Sequence, residues 1–194
     1  SSSPFTNVID LTSKGQRKKR QEEVGELKEP ENPLDEITAP ELPDRVDQAM
    51  RAAGWNSLMA VQRKSLPYLM AGRDLIVQSR TGSGKTGAFL LPLFERLDAS
   101  RKEAQALILT PTRELARQVH EEFDQMKIAT PETNDLEAAL IYGGVGYGPQ
   151  IKALKGGAQV IIGTPGRVLD HLKRKNFVAK ALRLFILDEA DEML

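Results

Sequence analysis

Leu75-Ile76-Val77-Gln78-Ser79-Arg80-Thr81-Gly82-Ser83-Gly84-Lys85-Thr86 decides how this chain is read. An apolar triplet, Leu75 to Val77, runs into a small polar turn with two glycines, and an apolar helical pattern with Phe89, Leu90 and Leu93 follows. Strand, glycine loop and helix in that order are the context a phosphate-binding loop requires. Gly82 and Gly84 let backbone N–H groups converge on phosphate oxygens, and the start of the helix adds the positive end of its dipole. Lys85 is placed to neutralise charge on the outer phosphates, and the Thr86 hydroxyl to ligate Mg²⁺. The strict pattern has glycine where Ser79 stands, but serine is small and removes no phosphate-facing group. A turn that only joins a strand to a helix is the plainer alternative, and the flanking elements argue against it.

Outward from this loop, short apolar strands alternate with amphipathic helices. Strands are expected at Leu75 to Val77, Ala106 to Leu109, Ala138 to Ile141, Val160 to Ile162 and Leu184 to Leu187. The alternation implies right-handed crossovers and a parallel sheet covered by helices on both faces, an α/β fold. Before the loop, Val46, Met50 and Ala53 mark a helical face that Gly54 stops, and a second helix is expected from about Val61 to Met70.

The 194 residues, 40% of them apolar, suffice for one well-buried domain and a tail. The 27 basic and 27 acidic side chains cancel, so any nucleic-acid affinity must come from local patches and backbone contacts. Cysteine is absent, which excludes disulfides, thiolate catalysis and cysteine-rich zinc sites. Metal chemistry must therefore use oxygen ligands. No apolar run approaches the roughly 20 residues of a membrane span, so no membrane partner is expected and the cytoplasm or another reducing compartment is the expected location. Residues 1–36 are polar, with a basic cluster (Lys14, Arg17, Lys18, Lys19, Arg20) before an acidic one, and read as a flexible extension to a domain at 37–194.

A second motif closes the chain. The apolar strand Leu184-Phe185-Ile186-Leu187 ends at Asp188-Glu189-Ala190-Asp191, which delivers carboxylates to the C-terminal edge of the sheet, where ligands bind in open α/β folds. Asp188 is placed to hold Mg²⁺, largely through water, leaving Glu189 to polarise an attacking water. Alone, such a run is a solvated turn or a helix start; a complete phosphate loop upstream changes that reading.

With both motifs in hand, the sequence resembles the DEAD-box family of superfamily-two RNA helicases over roughly Ile37 to Leu194. The resemblance implies a RecA-like P-loop NTPase domain, with ATP and Mg²⁺ as cofactors. It implies single-stranded or duplex RNA as a partner, along with a second, C-terminal RecA-like domain carrying arginine fingers. It makes Ser79, Arg80, Thr81, Gly82, Ser83, Gly84, Lys85 and Thr86 the ATP loop, and Lys85, Asp188 and Glu189 the catalytic set. Thr86 and Asp188 become the metal ligands, and Asp191 the residue that couples ATP to the next motif. Gln62 matches the family's adenine-reading glutamine, whose carboxamide can both donate and accept.

Pro111-Thr112-Arg113-Glu114-Leu115, Gly143-Gly144 and Thr164-Pro165-Gly166-Arg167 resemble three RNA-contacting motifs of the family, each in a loop after an expected strand. Contacts of this kind hold a strand without reading its bases. Four positions depart from the family. Leu58-Met59 stands where Pro-Thr is usual, Ile37 where an aromatic stacks on adenine, and Trp55 where phenylalanine is usual. Trp55 reads as a packing residue.

The implied activity is ATP-dependent remodelling or local unwinding of RNA duplexes, with an ATP-gated RNA clamp as the alternative. The chain opens without methionine and stops just after the acidic run, so it is expected to continue past Leu194. The resemblance also places one further strand between the loop strand and the acidic-run strand, so a break in pairing is expected there.

Overall fold

The computed structural model describes residues 8–10, 32–78 and 82–193. Ser79, Arg80 and Thr81 of the expected loop, and the basic cluster from Lys14 to Arg20, lie outside the described residues. Among the described residues the strands are β1 (Val8–Asp10), β2 (Ile76–Gln78), β3 (Ala106–Leu109), β4 (Ala138–Ile141), β5 (Val160–Gly163) and β6 (Leu184–Leu187). The helices are α1 (Asp44–Ala52), α2 (Ala60–Met70), α3 (Lys85–Arg96), α4 (Arg113–Lys127), α5 (Pro131–Asn134), α6 (Tyr147–Lys155) and α7 (Pro165–Lys173). Among these residues no helix is long and apolar enough to cross a membrane.

The strand pairs among the described residues are parallel, as the alternation of strands and helices requires. Four strands form one sheet in the order β4-β5-β3-β6, in the register Ala138↔Val160, Ala106↔Val160 and Ala106↔Leu184. The loop strand β2 is not among them; it pairs with β1, Val8 opposite Ile76. The expected break between the loop strand and the acidic-run strand is thus present in the pairing. Three details differ from expectation. β2 is shifted by one residue, Ile76–Gln78 in place of Leu75 to Val77; β5 runs one residue further, to Gly163; and Val8–Asp10 forms a strand inside the segment expected to be a flexible extension. The β-branched pair Val8-Ile9 suits an extended backbone.

Where one body is expected from the length, the chain falls into two compact units, Ser1–Asp47 with Trp55–Glu95 and Gln48–Gly54 with Arg96–Leu194. The second holds the four-stranded sheet. On one face Leu107, Ala139, Ile141 and Ile161 pack with Leu154 of α6, Val168 of α7 and Phe177. Strand side chains alternate, so Ala106, Ile108, Val160 and Ile162 project from the other face, and all four are fully buried. On that helix-covered sheet α4 packs along β4 and β5, burying Ala116, Val119, Phe123 and Met126 at helical spacing. The sheet is less covered at β6, where Phe185 is 60% and Leu187 48% exposed.

In the first unit the segment from Asn32 to Ile37 is tied to α2. The Leu34 N–H donates to the Tyr68 hydroxyl at 2.9 Å, the Ile37 N–H to the Arg63 carbonyl at 3.1 Å, and Arg63 pairs with Glu36 at 3.2 Å. This strap crosses the boundary drawn at residue 37.

Candidate functional site

The first unit carries the phosphate loop. Gly82 and Gly84 adopt positive φ, +76° and +90°, which glycine reaches without a Cβ penalty, and α3 starts at once with Lys85 and Thr86. Gly84 caps this helix, its carbonyl accepting the Ala88 N–H at 3.1 Å. The same carbonyl accepts the side-chain amide of Gln62, also at 3.1 Å.

Gln62 stands at the third position of α2, and its own carbonyl oxygen reaches back to accept the Met59 N–H at 2.9 Å, satisfying a donor that the helix start leaves open. With 1% exposure, the carboxamide assigned to adenine is also a buried brace between the start of α2 and the cap of α3. One N–H and one lone pair remain to it.

Close packing surrounds this brace. A Cβ on Gly84 would lie 2.6 Å from the Met59 sulfur, and one on Gly87 would lie 2.5 Å from the Trp55 ring and 2.5 Å from the Gln62 amide nitrogen. Trp55 therefore packs on the first turn of the phosphate helix, as its sequence context suggests. Met59, a departure from the family pattern, fills the space beside Gly84. Ile37, at the usual place of the aromatic, is half-buried on the strap described above.

The second unit carries the other motifs, all at the C-terminal edge of the four-stranded sheet because the strands run parallel. Backbone bonds tie their loops in sequence. Asp188 N–H donates to Leu109 at 2.9 Å, Thr110 N–H to Gly163 at 3.0 Å, and Thr164 N–H to Ile141 at 2.9 Å. A Cβ on Gly163 would lie 2.1 Å from the Ile141 carbonyl, so glycine there permits this approach.

Thr112 caps α4, its hydroxyl accepting the Leu115 N–H at 3.2 Å, with Pro111 just before it. α7 starts differently: Thr164 stands at its N-cap without a side-chain capping bond, with proline at the first helical position and Gly166 next. Between them the Gly143-Gly144 loop is exposed, and Gly144 has φ +83°. The Arg113 guanidinium lies 3.8 Å from where a Gly144 Cβ would be, and Arg167 donates to the Val145 carbonyl at 2.9 Å. The structure thus brings three of the sequence motifs together, with the glycine pair between two arginines. Such an edge offers open backbone, helix-start N–H groups and forked donors, the chemistry that holds phosphate oxygens.

β6 delivers Asp188 and Glu189. Glu189 is left-handed, φ 52° and ψ 49°, a conformation that costs a non-glycine residue, and it turns the chain into a short 3₁₀ segment, Ala190–Glu192, that holds Asp191. Burial, and after it the charge of Asp188, hold the Glu122 carboxyl of α4 above the usual carboxylate range. Asp188 and the Thr86 hydroxyl are hard oxygen donors of the kind Mg²⁺ takes, each within its own unit. Among the described residues no group of three or more His, Asp and Glu side chains forms a metal cluster.

Four residues beyond the sequence motifs join this edge. Arg117, one turn after Arg113, donates to the Tyr142 hydroxyl at 3.2 Å and lies 5.4 Å from its ring centroid. Gln150 of α6 and His171 of α7, 5% and 0% exposed, bond to each other at 2.9 Å beneath the loops. Their helices read as ordinary amphipathic patterns, and the only sequence signal was a polar side chain on each buried stripe.

The family described as DEAD/DEAH box helicase matches residues 59–194. The chain is similar to the ATP-dependent RNA helicase DeaD of Haemophilus influenzae, 42% identical over 153 residues, which are 79% of this chain and 24% of that protein. It is 45% identical over 150 residues to the ATP-dependent RNA helicase DeaD of Mycobacterium tuberculosis (strain CDC 1551 / Oshkosh), covering 77% of this chain and 26% of that one. The chain thus spans about a quarter of the length of these relatives. Among solved structures, a DEAD box protein from the hyperthermophile Methanococcus jannaschii superposes with a TM-score of 0.74 at 42% identity, over 81% of this chain and 43% of that one. An S. cerevisiae dbp5 variant bound to nup159, gle1, IP6 and ADP gives 0.69 at 35% identity, over 78% and 39%.

Proposed function

Because the chain belongs to the DEAD/DEAH box helicase family, we propose that it is the ATP- and RNA-binding part of an enzyme that remodels or locally unwinds RNA duplexes. The observation that carries the RNA side of this reading is the glycine pair 143–144 set between Arg113 and Arg167 at one sheet edge. Open glycine backbone admits a sugar-phosphate chain, the two guanidinium groups flank it, and the starts of α4 and α7 add N–H donors. These contacts address the backbone, so the surface holds a strand of any sequence.

On the nucleotide side, the N–H groups around Gly82 to Thr86 cradle the phosphates, Lys85 neutralises the charge that develops on transfer, and Gln62 offers its remaining donor and acceptor to adenine. Bound Mg²⁺ would supply charge neutralisation at the transferred phosphate. Thr86 and Asp188 are the residues that would hold it, and Glu189 would orient the attacking water. Asp191, in the turn that follows, would couple the nucleotide state to the RNA loops.

Arginine fingers from a partner domain contribute about 10³ to 10⁵ in rate in comparable phosphoryl transfers. This chain alone therefore binds ATP and RNA but turns over very slowly and does not unwind. The test is ATP and oligouridylate binding by the chain, with Lys85→Ala abolishing the first and Arg113→Ala with Arg167→Ala weakening the second. Unwinding, or RNA-stimulated turnover at the rate of the complete enzyme, by this chain alone contradicts the proposed division of labour. Stable strand retention without turnover in the complete enzyme favours the clamp.

A further inference from the structure

Beneath the RNA-facing loops lies a chain of buried hydrogen bonds with one polarity. The Tyr142 carbonyl can only accept, so Gln150 turns its amide nitrogen to it, at 2.9 Å. That leaves the Gln150 carbonyl oxygen facing the His171 Nε2–H at 2.9 Å, and a long contact from Arg167 at 3.4 Å. With Nε2 protonated, His171 Nδ1 accepts from the Asn176 side-chain amide at 2.9 Å. Asn176 is itself fixed because α7 closes in a paired-bond cap, Lys175 N–H to Leu172 and Asn176 N–H to His171, both at 3.0 Å.

Two branches from Gln150 address the RNA-facing loops, one through the Tyr142 carbonyl and one through Arg167. Tyr142 immediately precedes Gly143. Arg167 is one turn before His171 on α7, and its guanidinium is shared between the Val145 carbonyl, the Gln150 oxygen and the Tyr147 ring, 4.2 Å from the centroid.

We infer that Gln150 is a positioning residue that locks the Gly143-Gly144 loop and the Arg167 end of α7 into one strand-holding surface. The inference rests on the RNA-binding reading above and assigns a role to a residue buried beneath those loops. Gln150 suits the task because it donates to the start of the glycine loop and accepts from α7 while excluded from water, where a lost partner is not replaced by solvent.

The test is binding of a short fluorescein-labelled oligouridylate to the full chain over a salt series, with thermal melts of each variant. Gln150→Leu removes every bond and should bind about tenfold more weakly, its log–log salt slope shallower by about one phosphate contact. Gln150→Glu keeps acceptors for His171 and Arg167 but cannot donate to Tyr142. It should bind about threefold more weakly with the slope unchanged. Arg167→Ala is the control for the RNA reading itself.

If the wild type does not bind, or Arg167→Ala changes nothing, the RNA reading fails and this inference falls with it. If Arg167→Ala weakens binding while both Gln150 variants bind like the wild type, the RNA reading stands and the positioning role is overturned. Weaker binding by Gln150→Leu with an unchanged slope marks a purely structural effect and also overturns it. Should Gln150→Leu fail to fold, Gln150→Glu decides, wild-type affinity being the negative result.

Discussion

Gln62 donates its side-chain amide to the Gly84 carbonyl at 3.1 Å, the same carbonyl that accepts the first backbone bond of the phosphate helix from Ala88. One buried side chain therefore joins the start of α2 to the start of α3, and a change in either is felt by the other. Gln62→Glu preserves volume and the acceptor for the Met59 N–H, but sets a carboxylate oxygen against the Gly84 carbonyl. The variant should lose about 1–3 kcal/mol of stability and bind ATP at least tenfold more weakly. Thermal melts and calorimetric ATP titration measure the two effects, and a Gln62→Glu protein with unaltered ATP affinity would show that the brace has no part in binding.

Gly87 supports the same region by having no side chain. Its absent Cβ leaves room for the Trp55 ring and the Gln62 amide, each of which would otherwise lie 2.5 Å away. Gly87→Ala should destabilise by about 1–3 kcal/mol, since a filled interior accepts an extra methyl only by moving its neighbours. Replacing Trp55 with leucine opens space at the point of conflict. The double variant should then recover part of the loss, a coupling of about 0.5–3 kcal/mol in a double-mutant cycle of denaturant melts. Strict additivity would place the strain elsewhere.

The contrast between Gly84 and Gly87 shows what the sequence could and could not reveal. Gly84 was legible because it sits in a motif whose chemistry demands exposed N–H groups. Gly87 lies in the first turn of an apolar helix, where its reason is a ring from a residue 32 positions earlier in the chain. The strands of the four-stranded sheet were legible as apolar runs bounded by turn residues, and three of the four match at both ends. The departure of β2 to pair with β1 was not legible, because Val8-Ile9-Asp10 is a three-residue signal inside a polar stretch and pairing partners are set by tertiary structure. Thr112 and Thr164 could be read as helix starts from the following pattern. Gln150 and His171 could not, since nothing local distinguishes a buried polar hub from a tolerated surface residue.

Lys175 and Glu189 are the two described non-glycine residues with positive φ, 56° and 52°, and their substitutions should diverge. Lys175 occupies the position after α7 where glycine is favoured. Lys175→Gly should stabilise by about 0.5 kcal/mol, relief of the left-handed cost outweighing the added chain entropy of glycine. A chain of this size should then melt about 1–2 °C higher. Glu189→Gly relieves the same strain but deletes the carboxylate at the acidic run. It should gain similar stability while lowering ATP turnover of the complete enzyme, measured by phosphate release. If turnover survives, Glu189 holds its strained shape for a reason other than water activation.

His171 makes stability depend on pH in a direction that follows from its surroundings. Burial, and then the charge of Arg167, hold its pKa below the ordinary 6.5, with Arg174 acting the same way and Asp170 opposing them. The Tyr147 ring, 5.3 Å from the imidazole between centroids, covers it further. A native pKa below the unfolded one means that the unfolded chain binds the extra proton first. The stabilising contribution of neutral His171 is therefore complete above pH 6.5 and is lost as pH falls toward the lowered native value. A proton on Nδ1 would also face the Asn176 amide, donor against donor, and break the relay at its first bond. Asp170, held below its ordinary 3.8 by hydrogen bonds from Tyr147 and Arg174, contributes a separate loss only in stronger acid. Denaturant melts from pH 7.5 down to pH 5 should therefore show stability declining in the wild type, and a weaker decline in His171→Gln, whose side chain does not titrate. Equal slopes in the two proteins would assign the acid sensitivity to other groups.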